Sequence, residues 1–245
     1  MNRRPFPCAR QASPSSEQTR AAGKRVSRLR PVLSLLALSA ALAGCGASSP
    51  VHYHTLQAPA AQAPAASVAP ASFLIEVQPV NISTQADQPQ LMVRTGEGSL
   101  SALYSERWSS PLGDELRGAL SDALKRELGA LDVQLVKPGP GAAVWRVQTD
   151  VQRFELEPGR MAQLDATWRV RPVNMKGSGL LCRSVVTESV TEDSVPALIA
   201  AQQRAVVSLA GAMATAIRGQ APGGARLQSR CWGARRSKIS AKIPS

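Results

Sequence analysis

From residue 143 to residue 190, apolar side chains recur at every second position through three successive stretches, and this period most constrains what the chain can fold into. In the first stretch Ala143, Trp145, Val147, Thr149 and Val151 alternate with Val144, Arg146, Gln148, Asp150 and Gln152. A strand turns successive side chains to opposite faces, so the pattern predicts a strand buried on one side. By Phe154 the apolar phase has changed, which predicts a bulge or strong twist near Gln152. Pro158-Gly159 reads as a reversal, because Pro presets one turn position and Gly accepts positive φ at the next. Residues 161–173 then return, with Ala162, Leu164, Ala166, Trp168 and Val170 on one face. A Gly-Ser-Gly loop at 177–179 leads to the third stretch, 180–190.

The elements around this centre are shorter. Strands are expected at 73–77, 90–95 and 99–104, the last two forming a hairpin about Gly96-Glu97-Gly98, with a further strand at 132–136. Two helices are signalled. The first is capped by Ser110, has Pro111 at its first position and Asp114 and Glu115 near its positive end, and stops at Gly129. Its apolar face is Leu112, Leu116, Ala119, Leu120, Ala123, Leu124 and Leu128. The second starts at Ser194 with Pro196 in its first turn and ends near Gly219. Val195, Leu198, Ile199, Val206, Leu209, Met213 and Ile217 make its apolar face. Together these elements predict an α+β fold, a twisted, mostly antiparallel sheet with two helices packed on one face.

Ahead of this body lies an apolar run, residues 32–43, behind a basic segment. It has the length of a secretory h-region and is too short to span a bilayer. Leu42-Ala43-Gly44-Cys45 closes it and resembles the lipobox of bacterial lipoproteins. That resemblance implies cleavage between Gly44 and Cys45, and a Cys45 that carries the covalent lipid as the first mature residue. The same resemblance implies sorting: Gly46 stands where an Asp would indicate inner-membrane retention, so it favours the outer membrane. The competing reading is a short buried helix with a chance Cys. The organisation expected is a leader over 1–44, the lipidated Cys and an Ala/Pro-rich tether over 45–72, a domain over 73–219 and a basic, disordered tail over 220–245. The tether proper is the Ala/Pro/Gln/Ser run from Gln57 to Ser72, whose sixteen residues at about 3.1 Å each would reach roughly 50 Å.

The formal charge of +12 would suggest nucleic acid, but the leader and the residues beyond 220 hold 14 of the 29 basic residues. The body between is nearly neutral, which removes the support for that partner. Of the four cysteines, Cys182 and Cys231 could pair in an oxidising compartment. Alternatively, Cys182 is a small buried hydrophobe and Cys231 belongs to the disordered tail.

Both histidines, His52 and His54, precede the tether, so the domain has none for a catalytic triad or a zinc site. They alternate along an extended stretch and could share a metal, but two ligands on a floppy segment make a weak site. No phosphate-binding Gly loop, nucleophile elbow or Cys-x-x-Cys pair occurs. Glu155 and Glu157 would point the same way from a strand, where a solvated face is the plainer reading than acid–base work. A non-enzymatic protein with no cofactor or metal is expected.

One order of segments carries more information. Tyr53-His54-Thr55-Leu56 follows the Cys, Asp87-Gln88-Pro89-Gln90-Leu91-Met92-Val93-Arg94 comes next, and Tyr104-Ser105-Glu106-Arg107-Trp108-Ser109-Ser110-Pro111-Leu112 opens the first helix. This resembles the ABC-type transport auxiliary lipoproteins, the PqiC-like family, over residues 45–218. Gln88 stands where that family often has Arg. The resemblance implies an outer-membrane lipoprotein facing the periplasm. It would work with an MCE-domain protein and an ABC transporter in moving lipid between membranes, and its role would be docking. A ring-like homo-oligomer would suit such a role. Tyr104, Arg107 and Trp108 are the expected partner contacts. The alternatives are a structural or assembly-accessory envelope lipoprotein and, further off, a periplasmic hydrolase.

Overall fold

The computed structural model describes residues 49–59, 68–219 and 227–232. Its strands divide into two sheets rather than the single sheet expected. The smaller has β1 (His52–His54) parallel to β5 (Ser99–Trp108), with β4 (Gln90–Gly96) antiparallel on the other side of β5. The larger runs β2 (Leu74–Val77), β6 (Val144–Glu157), β7 (Met161–Val173), β8 (Leu180–Ser189) and β9 (Leu227–Trp232), with β3 (Asn81–Ile82) also paired to β6. β2 and β3 lie parallel to β6 and the remaining pairs are antiparallel, so the fold is α+β.

The three long strands stand where the period-two pattern puts them. Ala162, Leu164, Ala166, Trp168 and Val170 are all buried. The β6–β7 register shifts between Val151 and Arg153, leaving Gln152 as the extra residue. Val147, Thr149 and Val151 face the core before that shift and Leu156 after it. The bulge therefore re-aims the end of β6.

Helix α1 (Leu112–Leu128) buries its expected face and ends at Gly129, whose φ of 64° is the left-handed cap that glycine adopts without strain. A Cβ there would lie 2.6 Å from the Ala69 carbonyl oxygen. Its N-cap is Pro111, not Ser110, which turns its hydroxyl to Glu115. Helix α2 (Val195–Ile217) is capped by Ser194, which accepts from the Ala197 amide. It is long and apolar enough to cross a membrane, yet Leu198, Val206, Leu209 and Met213 are buried in the core. It packs across β6, β7 and β8, while α1 lies beside α2 and touches β2 and β3.

Two expected features differ. Residues 132–136 form no strand but a single parallel bridge, Ile75 to Asp132. The Asp132 carboxylate itself accepts from the Val77 and Gln134 amides, from Arg117 and from Ser121, so a side chain replaces the ladder. Within the region read as a disordered tail, Leu227–Trp232 is an edge strand, fixed by a Cys182–Cys231 disulfide between directly opposed residues of β8 and β9.

Candidate functional site

The segment from His52 to Gln57, expected to lie loose ahead of a tether, is tied into the domain at every step. β1 runs parallel to β5 with His52 opposite Glu106, Tyr53 opposite Arg107 and His54 opposite Trp108. His52 Nδ1 and His54 Nε2 each donate to one oxygen of Glu106, at 2.9 and 2.5 Å. Two side chains two positions apart share a face, which is why one carboxylate reaches both rings. The hydrogen bond from His54, then that from His52, holds the Glu106 carboxyl below its ordinary value.

Thr55 and Leu56 meet a second carboxylate. Glu115 lies in the first turn of α1, where the helix favours negative charge. Its Oε2 accepts from the Thr55 hydroxyl at 2.8 Å and the Leu56 amide at 2.9 Å. Its Oε1 accepts from the hydroxyls of Ser109 at 2.6 Å and Ser110 at 2.8 Å. Burial pushes this carboxyl up, and the bonds from Ser109, Leu56, Thr55 and Ser110 outweigh it, leaving the group below its ordinary value. From α2, the Gln203 side-chain amide donates to the carbonyls of Thr55 and Gln57. Leu56 is 1% exposed and belongs to the core. The 57–72 stretch is thus a connection between two fixed points, β1 and β2, not a spacer in front of the domain.

The sequence-predicted residues separate. Gly44 and Cys45 lie outside the described residues. Tyr104 is 75% exposed, and the Arg107 guanidinium is directed to its carbonyl at 3.5 Å. Trp108 is a correction: it is buried, edge-on against Phe154 with centroids 5.8 Å apart, and has no face for a partner. The β4–β5 register shifts between Gln90 and Leu91, so residues 104–106 of β5 stand opposite no β4 residue, and this bulge carries Tyr104 outward.

Glu155 and Glu157 do not act as a pair. Arg94 donates to Glu155 at 2.5 Å, and Arg160 donates to Glu157 at 2.7 Å. Among the described residues no group of three or more His, Cys, Asp or Glu side chains is arranged to hold a metal ion, and the two histidines bond to Glu106 instead. A cleft of about 250 Å³ beside β3, β6 and β7 is lined by Gln78, Asn81, Thr149, Asp150 and Trp168. Its volume is below the range of small-molecule sites.

The ends of the chain-pinning network were missed because the signal is short. Three strand residues carry no period, and Glu115 reads as an ordinary acid favoured by a helix start. The signal that could have found them is the apolar Leu56 beside alternating His52 and His54, a strand pattern stranded in polar sequence.

Comparison with known proteins adds a family and a fold. The model of the ABC-type transport auxiliary lipoprotein component family matches residues 54–214, from the end of β1 to the last turn of α2. A solved structure titled only as an uncharacterized protein aligns with a TM-score of 0.55 at 14% identity, over 69% of this chain and 99% of its own. A Xanthomonas campestris protein of family DUF330 aligns with a TM-score of 0.50 at 16% identity, over 70% of this chain and 97% of its own. At such identities the likeness is one of fold. No curated protein matches the sequence.

Proposed function

The chain belongs to the family of ABC-type transport auxiliary lipoprotein components, and from that premise we propose that it is an outer-membrane lipoprotein facing the periplasm, lipidated on Cys45. In this reading it is the non-enzymatic docking subunit of a system in which an MCE-domain protein and an ABC transporter move lipid between two membranes. The observation that carries the reading is the build of residues 52–57. A docking subunit must pass force between its anchor and its partner. Here the stretch just behind the proposed anchor is held by a sheet, two carboxylates, a helix side chain and the core.

Several features support the parts of this reading. Several acyl chains on one Cys, at about 0.8 kcal/mol per buried methylene, make a durable anchor where one chain would not. The Cys182–Cys231 disulfide fits an oxidising compartment such as the periplasm. Gly46 after the Cys fits outer-membrane sorting. The buried carboxylate of Glu115 is occupied in holding the chain together, which suits a binding role over catalysis.

The test is cross-linking in cells followed by purification of the full-length acylated protein and mass spectrometry of what comes with it. An MCE-domain protein enriched over an unrelated outer-membrane lipoprotein bait is the expected result. Barrel-assembly, lipopolysaccharide-assembly or cell-wall proteins in its place would overturn the transport role.

A further inference from the structure

We propose that the outer face of the small sheet, around Tyr53, Tyr104 and Arg107, lies against the headgroups of the bilayer that anchors the chain. The proposal rests on the acylation of Cys45 inferred above and adds to it a surface and an orientation.

The first argument is reach. Only residues 46–51 separate Cys45 from β1, and from Cys45 to His52 a fully extended chain covers about 25 Å. The 57–72 stretch adds nothing to this span, because Leu56 is already in the core before it begins. The domain therefore cannot stand off the bilayer by the length of its Ala/Pro-rich segment.

The second is direction. β1 runs parallel to β5 and starts opposite Glu106, so the chain enters β1 from the side of β5 on which Tyr104 lies. The hairpin between β4 and β5 runs on past Tyr104 in that direction and bears Glu97 at its exposed tip. An end-on sheet would bury that charge in lipid, so the sheet lies along the surface. Its inner face is fixed by Trp108, which is buried in the core, with the half-buried His54 opposite it, leaving Tyr53 and Arg107 on the outer face.

The third is chemistry. The chain has two tyrosines, and both stand on this sheet, Tyr53 at 66% and Tyr104 at 75% exposure. Val51, at the same end, is also exposed. A tyrosine with an apolar ring and a polar tip is suited to the boundary between acyl chains and headgroups. Arg107 between them offers a cation to a lipid phosphate. The neighbouring acid, Glu106, is engaged by two histidines on the opposite face.

The experiment uses full-length acylated protein in phosphatidylethanolamine/phosphatidylglycerol vesicles carrying a headgroup-proximal nitroxide lipid. Tyr53→Cys, Tyr104→Cys and Leu135→Cys are each labelled with bimane, since Cys182 and Cys231 are joined and Cys45 is acylated. Leu135 is exposed in the loop beside Ile75, which pairs with Trp145 at the opposite end of β6 from Phe154 and Trp108. Quenching several-fold stronger at 53 and 104 than at 135 is expected. Protein that floats with the vesicles but shows equal or no quenching at the three positions overturns the docking surface and leaves the anchor standing. Protein that fails to float overturns both. Labels unquenched by lipid but shielded from iodide in native membranes overturn the proposal in favour of a protein partner on this face.

Discussion

Glu115 accepts four hydrogen bonds from two separate stretches of chain, Thr55 and Leu56 on one side and Ser109 and Ser110 on the other. Replacing it by Ala leaves the buried Leu56 amide without an acceptor, while Thr55 and Ser109 are exposed and can turn to water, and a loss of about 1–3 kcal/mol in denaturant unfolding is expected. Its folded value is lowered, so the stability it adds is present in full above the ordinary carboxylate range and is lost as pH falls through the lowered value. Glu106 carries the same sign from its histidine bonds. Melting temperature should accordingly fall below about pH 4.5, and Glu115→Gln should flatten that acid limb while lowering the neutral plateau. An unchanged acid limb would show that the carboxylate's charge does not matter to the fold. Trp108 is the other residue to test. Packed on Phe154 at 5% exposure, it should cost about 3–5 kcal/mol when changed to Ala, read by thermal melting. A full-stability variant would return it to the surface role its sequence context suggests. The sequence could not make this distinction. The segment Arg107-Trp108-Ser109-Ser110-Pro111 marks where a helix opens, while whether the indole faces in or out depends on a three-residue strand laid beside it from 54 residues away.

Elements were legible in proportion to their length. β6, β7 and β8 carry a period of two over ten or more residues each, and even the extra residue at Gln152 showed as a phase change. α1 and α2 carry the helical period with glycine or serine at the ends. β1 and β9 were not legible, because neither repeats long enough to declare a face and each gains its place from a partner distant in sequence. For β9 that partner is β8, and the covalent link closes a sequence separation of 49 residues. It also lies beyond the segment that matches the family model, 54–214, so that match does not include it. The double variant Cys182→Ser, Cys231→Ser should lose about 4 kcal/mol by the loop-entropy argument, while unfolding stays cooperative. Hydrogen exchange should quicken at β8 amides facing β9, between Leu181 and Val186, and stay slow in α1. Equal loss of protection in α1 would mean that β9 supports the whole core.

At the scale of the whole molecule, composition suggested a domain on a long leash, and topology reverses that. An Ala/Pro-rich run after a proposed lipid site reads as a tether only if nothing before it is folded. Leu56 in the core, and His52 and His54 on Glu106, place the fixed point ahead of the run. With Cys45 lipidated as proposed, the distance between domain and membrane is limited by residues 46–51 and not by residues 57–72. Ten Gly/Ser residues inserted after Ser48, with a root-mean-square length of about 18 Å of their own, lengthen the link between proposed anchor and domain. The same ten inserted after Gln62 only lengthen a closed loop, from about 16 to 26 residues, at an entropy cost of about 0.4 kcal/mol. Energy transfer from a donor on Leu135→Cys to an acceptor lipid in vesicles separates the two. Transfer should change with the first insertion and match the uninserted protein with the second. If both insertions change it equally, β1 leaves β5 when the chain is anchored, and the run acts as the tether its composition describes. If only the first does, Glu115 on α1 and Glu106 on β5 fix how far this domain can lie from the proposed anchor.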